Sequence, residues 1–148
     1  MTVTIRPGRE ADAAAAVALI RASITRLCSA DHGDAPRLLE PWLANKTEAA
    51  WIRWARRPDA ALLVAQEAET LTGTGMVDAA GTVLLLYVDP AVQFGGTGSA
   101  LLARLEQAAR RMGAGACRLE STLSARRFYE SRGYRGEDGT GLRMSRPL

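Results

Sequence analysis

Apolar positions along the chain fall into short strand-like runs and longer helical stripes. Thr2 to Arg6 alternates like a strand, and Pro7-Gly8 ends it. Glu10 to Cys28 is alanine-rich, with acids near its start and Val17, Ile20, Ile24 and Leu27 on one face, which predicts an amphipathic helix. Ala35–Ala44 and Thr47–Arg56 predict two shorter helices, with Thr47 as an N-cap. Ala61–Ala65, Thr70–Asp78 and Thr82–Val88 are joined by turns short enough for an antiparallel meander. Val83–Val88 is an unbroken apolar run and predicts a strand buried on both faces. Thr97–Met112 carries Leu101, Leu102, Leu105, Ala108, Ala109 and Met112 on one helical face. Ala116–Thr122 predicts a further strand, and Ser124 caps a short helix that Gly133 ends. A strand–helix–strand unit of this length makes Val83–Val88 and Cys117–Ser121 parallel neighbours. The expectation is one α/β domain over residues 1–148, with a mixed central sheet (antiparallel meander plus a parallel strand pair) flanked by helices.

Composition narrows the class. Hydrophobic residues at 47% and charged residues at 24% fit a globular protein. No apolar run reaches the roughly 18 residues of a membrane span, and the first residues do not fit a secretory leader. A cytoplasmic location is therefore expected. Cys28 and Cys117 are far apart in sequence and, with His32 the single histidine, do not make a zinc set, so no metal is expected. Arginine outnumbers lysine 18 to one, and ten arginines against five acids follow Ala100, which points to a polyanionic ligand. The arginines are scattered and no nucleic-acid motif accompanies them, which argues against nucleic acid.

The most informative stretch lies between the buried strand and the long helix. Asp89-Pro90 stops the strand, and Gln93-Phe94-Gly95-Gly96-Thr97-Gly98 leads into the helix. A glycine-rich turn feeding a helix N-terminus binds anions, because the first N–H groups are unpaired and the dipole is positive there. A P-loop would need a lysine that is absent, and a Rossmann turn would need a third glycine where Leu101 stands. What remains is Q-x-x-G-x-G after Val88-Asp89-Pro90.

That pattern resembles the pyrophosphate-binding motif of the GNAT family of N-acetyltransferases. Downstream, Ala125-x-x-Phe128-Tyr129-Glu130-x-x-Gly133-Tyr134 resembles a second motif of the same family, in the family's order. The resemblance covers about Ala61 to Tyr134 and implies a GNAT fold with acetyl-CoA as co-substrate and a primary amine, on a small molecule or peptide, as acceptor. It implies cofactor contacts from Gln93, Phe94, Gly95, Gly96, Thr97, Gly98 and Ser99, with Leu86, Tyr87 and Val88 holding the pantetheine arm by main-chain bonds. It implies that Tyr129 protonates the departing thiolate and that Glu120 takes the amine proton, with Asp89 and Asp31 as fallback bases. Phe94 and Gly95 stand where the family often has basic residues, and Ser121, Thr122 and Ser124 stand where many members have an asparagine. A homodimer is plausible from the family.

The residues leave some alternatives open. Asp31 and His32, in a polar loop, are candidates for the acceptor site, or else form a helix cap and turn. Trp42, Trp51 and Trp54 either pack helices onto the sheet or wall an acceptor pocket. Rival functions are an acyl-CoA-binding regulatory domain without turnover, and a toxin-like acetyltransferase acting on aminoacyl-tRNA.

Overall fold

The computed structural model describes residues 2–92, 95–137 and 141–148. Four antiparallel strands form the first sheet in the order β1 (Val3–Pro7), β2 (Ala60–Glu67), β3 (Thr70–Asp78), β4 (Val83–Val88). Between β1 and β2 run α1 (Ala13–Leu27), the single turn α2 (Ser29–His32), α3 (Pro36–Ala44) and α4 (Glu48–Ala55). The α4 N-terminus is capped as its sequence implies, with Thr47 Oγ1 accepting from the Ala50 N–H at 3.1 Å. After β4 come α5 (Thr97–Arg111), β5 (Ala116–Glu120), α6 (Arg126–Ser131), β6 (Arg135–Gly136) and β7 (Arg143–Pro147). The last strands form a second sheet, β5-β7-β6. Among the described residues no helix is long and apolar enough to cross a membrane.

Period-two alternation divides the core between the two faces of the first sheet. Leu62, Val64 and Met76 face α1 and α4, where they bury Ile20, Ile24 and Trp51. Leu63, Ala65 and Val77 face α5, where they meet Leu101, Leu102, Leu105 and Ala109. Gly73 and Gly75 let α5 lie close to β3. A Cβ at either position would come within 2.7 Å of a leucine methyl, that of Leu101 or Leu105. Trp51 is wholly buried, and its indole N–H donates to the Arg9 carbonyl at 2.8 Å.

Three details differ from the sequence-based expectation. β4 is not buried on both faces: Leu84 is 40% exposed and Leu86, Tyr87 and Val88 are half-buried. The register explains Leu84, since Met76 pairs with Leu85 and Val77 with Val83, leaving Leu84 as the extra residue of a β-bulge. Second, the parallel pairing with β5 is a single bridge just ahead of β4 among the described residues, Thr82 with Arg118, where the Arg118 N–H donates to the Gly81 carbonyl at 2.9 Å. Beyond it β5 pairs along its other edge with β7 over five residues, and the two strands splay. Third, Ser124 does not cap α6. Its hydroxyl donates to Asp31, and Thr122 Oγ1 instead accepts from the Ala125 N–H.

Candidate active site

The splay between β4 and β5 opens into a cavity of about 460 Å³. Its walls are β4, the end of β5, the N-terminus of α5, one face of α6 and the C-terminal turns of α1. At one end stands the start of α5. Gly96 is its N-cap at φ +87°, a conformation that glycine takes freely, and no side chain caps the helix. The N–H groups of the first turn are thus left for a ligand, at the positive end of a 15-residue helix. A Cβ at Gly96 would meet nothing within 4 Å, so the space above the turn is open. One at Gly98 would point at the Phe128 ring and Val88, at 3.6 and 3.7 Å.

Of the implied cofactor contacts, Leu86, Tyr87, Val88, Gly96, Thr97, Gly98 and Ser99 line the cavity. Gly95 does not line it. Gln93 and Phe94 lie outside the described residues. β4 pairs with β3 through Gly75–Leu86, Thr74–Tyr87 and Gly73–Val88, so its opposite edge faces the splay.

Tyr129 is brought to the cavity by α6, which ends at Gly133 with φ +92°. Its ring is buried edge-on between Phe128 and Tyr134, with centroids 5.2 and 5.7 Å away. Burial first, and the nearby Tyr87 phenol second, push its pKa well above the ordinary value, so the hydroxyl keeps its proton. Glu120 ends β5 on the cavity wall and is exposed. Burial also raises Tyr87, partly offset by a hydrogen bond with Trp42.

His32 and Asp31 are not on the cavity wall. The His32 side chain is buried, and the Asp34 N–H donates to Nδ1 at 2.9 Å. The ring proton therefore sits on Nε2, which donates to the Ile24 carbonyl at 2.9 Å. Both nitrogens are spent on the α1–α2 corner, where Trp42 packs edge-on against the ring. The Asp31 carboxylate accepts from the Leu123 N–H at 2.6 Å, the Ser124 N–H at 3.3 Å and the Ser124 hydroxyl at 2.6 Å. It clasps α2 to the turn ahead of α6.

Sequence patterns missed the α1 contribution, Ser23, Leu27 and Cys28. Cys28 is no nucleophile in this setting, since burial and then Asp31 push its thiol up to about 11. Arg132 was missed as well. It lines the cavity, with its guanidinium 5.7 Å from the Phe128 ring centroid.

A family model described as an acetyltransferase (GNAT) domain matches residues 36–142. The chain belongs to the GNAT family. It is an acyltransferase by that membership, and several solved structures share its fold. A GCN5-related N-acetyltransferase from Rhodopseudomonas palustris, also described as "Aminotransferase, Class-II", is 26% identical over 100% of this chain and 97% of its own, with a TM-score of 0.87. YncA of Salmonella typhimurium, a putative acetyltransferase solved with its cofactor acetyl-CoA, is 25% identical over 100% and 95%, with a TM-score of 0.71. The PaiA N-acetyltransferase of Thermoplasma acidophilum, solved with coenzyme A, shares the fold at 21% identity, full coverage of both chains and a TM-score of 0.86. A search of curated proteins finds no match.

Proposed function

We propose that this GNAT domain transfers an acetyl group from acetyl-CoA to a primary amine by direct attack within a ternary complex. The observation that carries the proposal is a single cavity joining an uncapped helix N-terminus, a free strand edge, a buried phenol and a carboxylate. These groups fit the parts of acetyl-CoA. The α5 turn at Gly96, Thr97, Gly98 and Ser99 suits the pyrophosphate, and the open space at Gly96 admits it. The free edge of β4 at Leu86–Val88 suits an amide-bearing arm bound as a pseudo-strand. When bound, acetyl-CoA supplies an already activated thioester, so that orientation is the main demand on the protein.

The remaining chemistry belongs to this chain's side chains. An acceptor arriving as an ammonium must give up two protons, one before attack and one as the amide forms. Glu120, exposed at the wall, takes the first to solvent. Tyr129 holds a proton at the wall and gives it to the departing sulfur as the carbon–nitrogen bond forms and the carbon–sulfur bond breaks. The amine's second proton restores the phenol by way of water. The test is thiol release from acetyl-CoA with and without a panel of primary amines. Release that rises with amine, together with the acetylated product by mass, is expected. Acetyl-CoA binding with no amine-dependent release would instead leave a regulatory acyl-CoA-binding domain.

A further inference from the structure

The helix that carries Tyr129 is six residues long, too short to hold its own shape in water, so the direction of the phenol depends on what the helix is tied to. Its C-terminal end is tied by a buried polar cluster. The Tyr134 N–H donates to the Tyr129 carbonyl at 3.1 Å, and the two rings stand edge-on with centroids 5.7 Å apart. Tyr134 is wholly buried, and its hydroxyl donates to Glu106 Oε2 at 2.8 Å. Burial first, and then Cys117 and Glu106, push this phenol well above its ordinary pKa, so it remains the donor. Arg146 Nη1 donates to the other carboxylate oxygen, Oε1, at 2.8 Å. The Arg146 side chain also lies against the turn that ends α6, since a Cβ at Gly133 would stand 3.2 Å from its Nε.

Glu106 shares the buried face of α5 with Leu102, Leu105 and Ala109, a place that suits an apolar residue. A buried ion pair often adds no more stability than apolar side chains of similar volume, so stability is a weak reason for a carboxylate there. What its two directed hydrogen bonds add is a fixed place for the Tyr134 ring, against which Tyr129 rests. The same helix α5 offers its first turn to the pyrophosphate of the cofactor, so one rigid element spans the cofactor site and the support of the phenol.

We infer that Glu106 and Tyr134 are positioning residues for acetyl transfer, holding the Tyr129 phenol in register with the sulfur of an acyl-CoA bound at the α5 turn. The inference rests on the acid role proposed for Tyr129. A general acid works only within hydrogen-bond reach of its target, and small misplacements cost rate steeply. Neither Glu106 nor Tyr134 lines the cavity, so their effect reaches the reaction through Tyr129.

The experiment is a double-mutant cycle between Tyr129→Phe and Tyr134→Phe, the second of which keeps the ring and removes its bond to Glu106. Thiol release is followed at saturating acetyl-CoA with whichever of phenethylamine, lysine, spermidine and kanamycin turns over fastest, and circular dichroism checks the fold. Tyr134→Phe should lower kcat about fivefold or more and leave the KM for acetyl-CoA within about twofold, the pattern of a misplaced acid. In the Tyr129→Phe background the same change should cost less than about twofold, because the group being positioned is gone. Glu106→Leu removes the same bond from the α5 side and should repeat both results, so the outcome does not hang on the folding of one variant. A kcat within twofold of wild type for both Tyr134→Phe and Glu106→Leu would overturn the inference and leave the acid role standing. So would a loss that is equally large with and without the Tyr129 hydroxyl. Tyr129→Phe within threefold of wild type would remove the acid role and the inference with it, and turnover of none of the four amines would remove both along with acetyl transfer.

Discussion

Replacing Tyr129 by Phe isolates the proton that the mechanism requires. The ring stays: its edge contacts at 5.2 Å with Phe128 and 5.7 Å with Tyr134 involve carbon, and a phenylalanine fills the same buried space. Stability should therefore change by less than about 1 kcal/mol, the scale of a single hydroxyl. The catalytic effect should be much larger. A positioned general acid contributes roughly 10²- to 10⁴-fold, and a thiolate with an ordinary pKa of about 8.5 leaves tolerably well unaided, so the low end applies. A loss of about 100-fold in kcat corresponds to about 2.7 kcal/mol of transition-state stabilisation. Because burial holds the phenol's pKa above its ordinary value, Tyr129 keeps its proton throughout the range from about pH 6.5 to 9.5, and the ratio of wild-type to variant kcat should stay flat across it. Thiol release at saturating amine, with acetyl-CoA affinity measured separately, gives the needed split. A Tyr129→Phe enzyme within threefold of wild type would refute the acid role. So would a loss that appears as weaker acetyl-CoA binding with kcat unchanged.

Other substitutions test neighbouring parts of the structure. Glu120→Gln should lower kcat about tenfold or more near pH 7, and the deficit should shrink as rising pH deprotonates the free amine without help; a deficit that grows with pH would exclude the base role. Cys28, with its thiol pushed up to about 11, should be about one part in ten thousand thiolate at pH 7, so iodoacetamide should modify it slowly in the folded protein and Cys28→Ser should keep activity. Gly75→Ala would set a Cβ 2.7 Å from the Leu105 Cδ1 methyl and 3.3 Å from the Leu85 carbonyl, and should cost about 1–3 kcal/mol, visible as a lower Tm. The Arg6 guanidinium, doubly bonded to Asp12 at 2.9 Å, holds that carboxyl below its ordinary range. This stabilisation is full above the unfolded value of about 4 and is lost as pH falls through the lower folded value. Asp12→Asn should be less stable than wild type at pH 7, and urea melts should show the two converging as pH falls below the unfolded carboxyl value of about 4.

The parts legible in the sequence are those whose cause is local. Gly96 and Gly98 follow a stopped strand and open a helix, and a helix N-terminus binds anions wherever it is exposed, so the loop announces itself within ten residues. Tyr129 is legible for the same reason, riding on a short helix that ends in a positive-φ glycine. The shape of the cavity was not legible. It depends on Leu84 being the odd residue in a register that β3 sets, and on β5 turning to β7. Arg143–Pro147 has one buried apolar residue, Met144, and gives no alternation from which to foresee the strand that draws β5 away. Asp31 reaches across 92 residues of sequence to Leu123, and His32 spends both nitrogens inside the α1–α2 corner although its loop reads as polar surface. Such long-range partners leave no periodic trace.

The most direct test of the whole proposal is calorimetric titration of the protein with acetyl-CoA and with free CoA at two salt concentrations. Both ligands should bind at one saturable site, more weakly at high salt because phosphates are held at the α5 turn. Affinity should vanish when Gly96 and Gly98 are replaced by bulky residues in a protein whose circular dichroism is unchanged. Absence of binding by either ligand to the wild-type protein, or binding unaffected by those replacements, would contradict the proposed cofactor site and the acetyl transfer that depends on it.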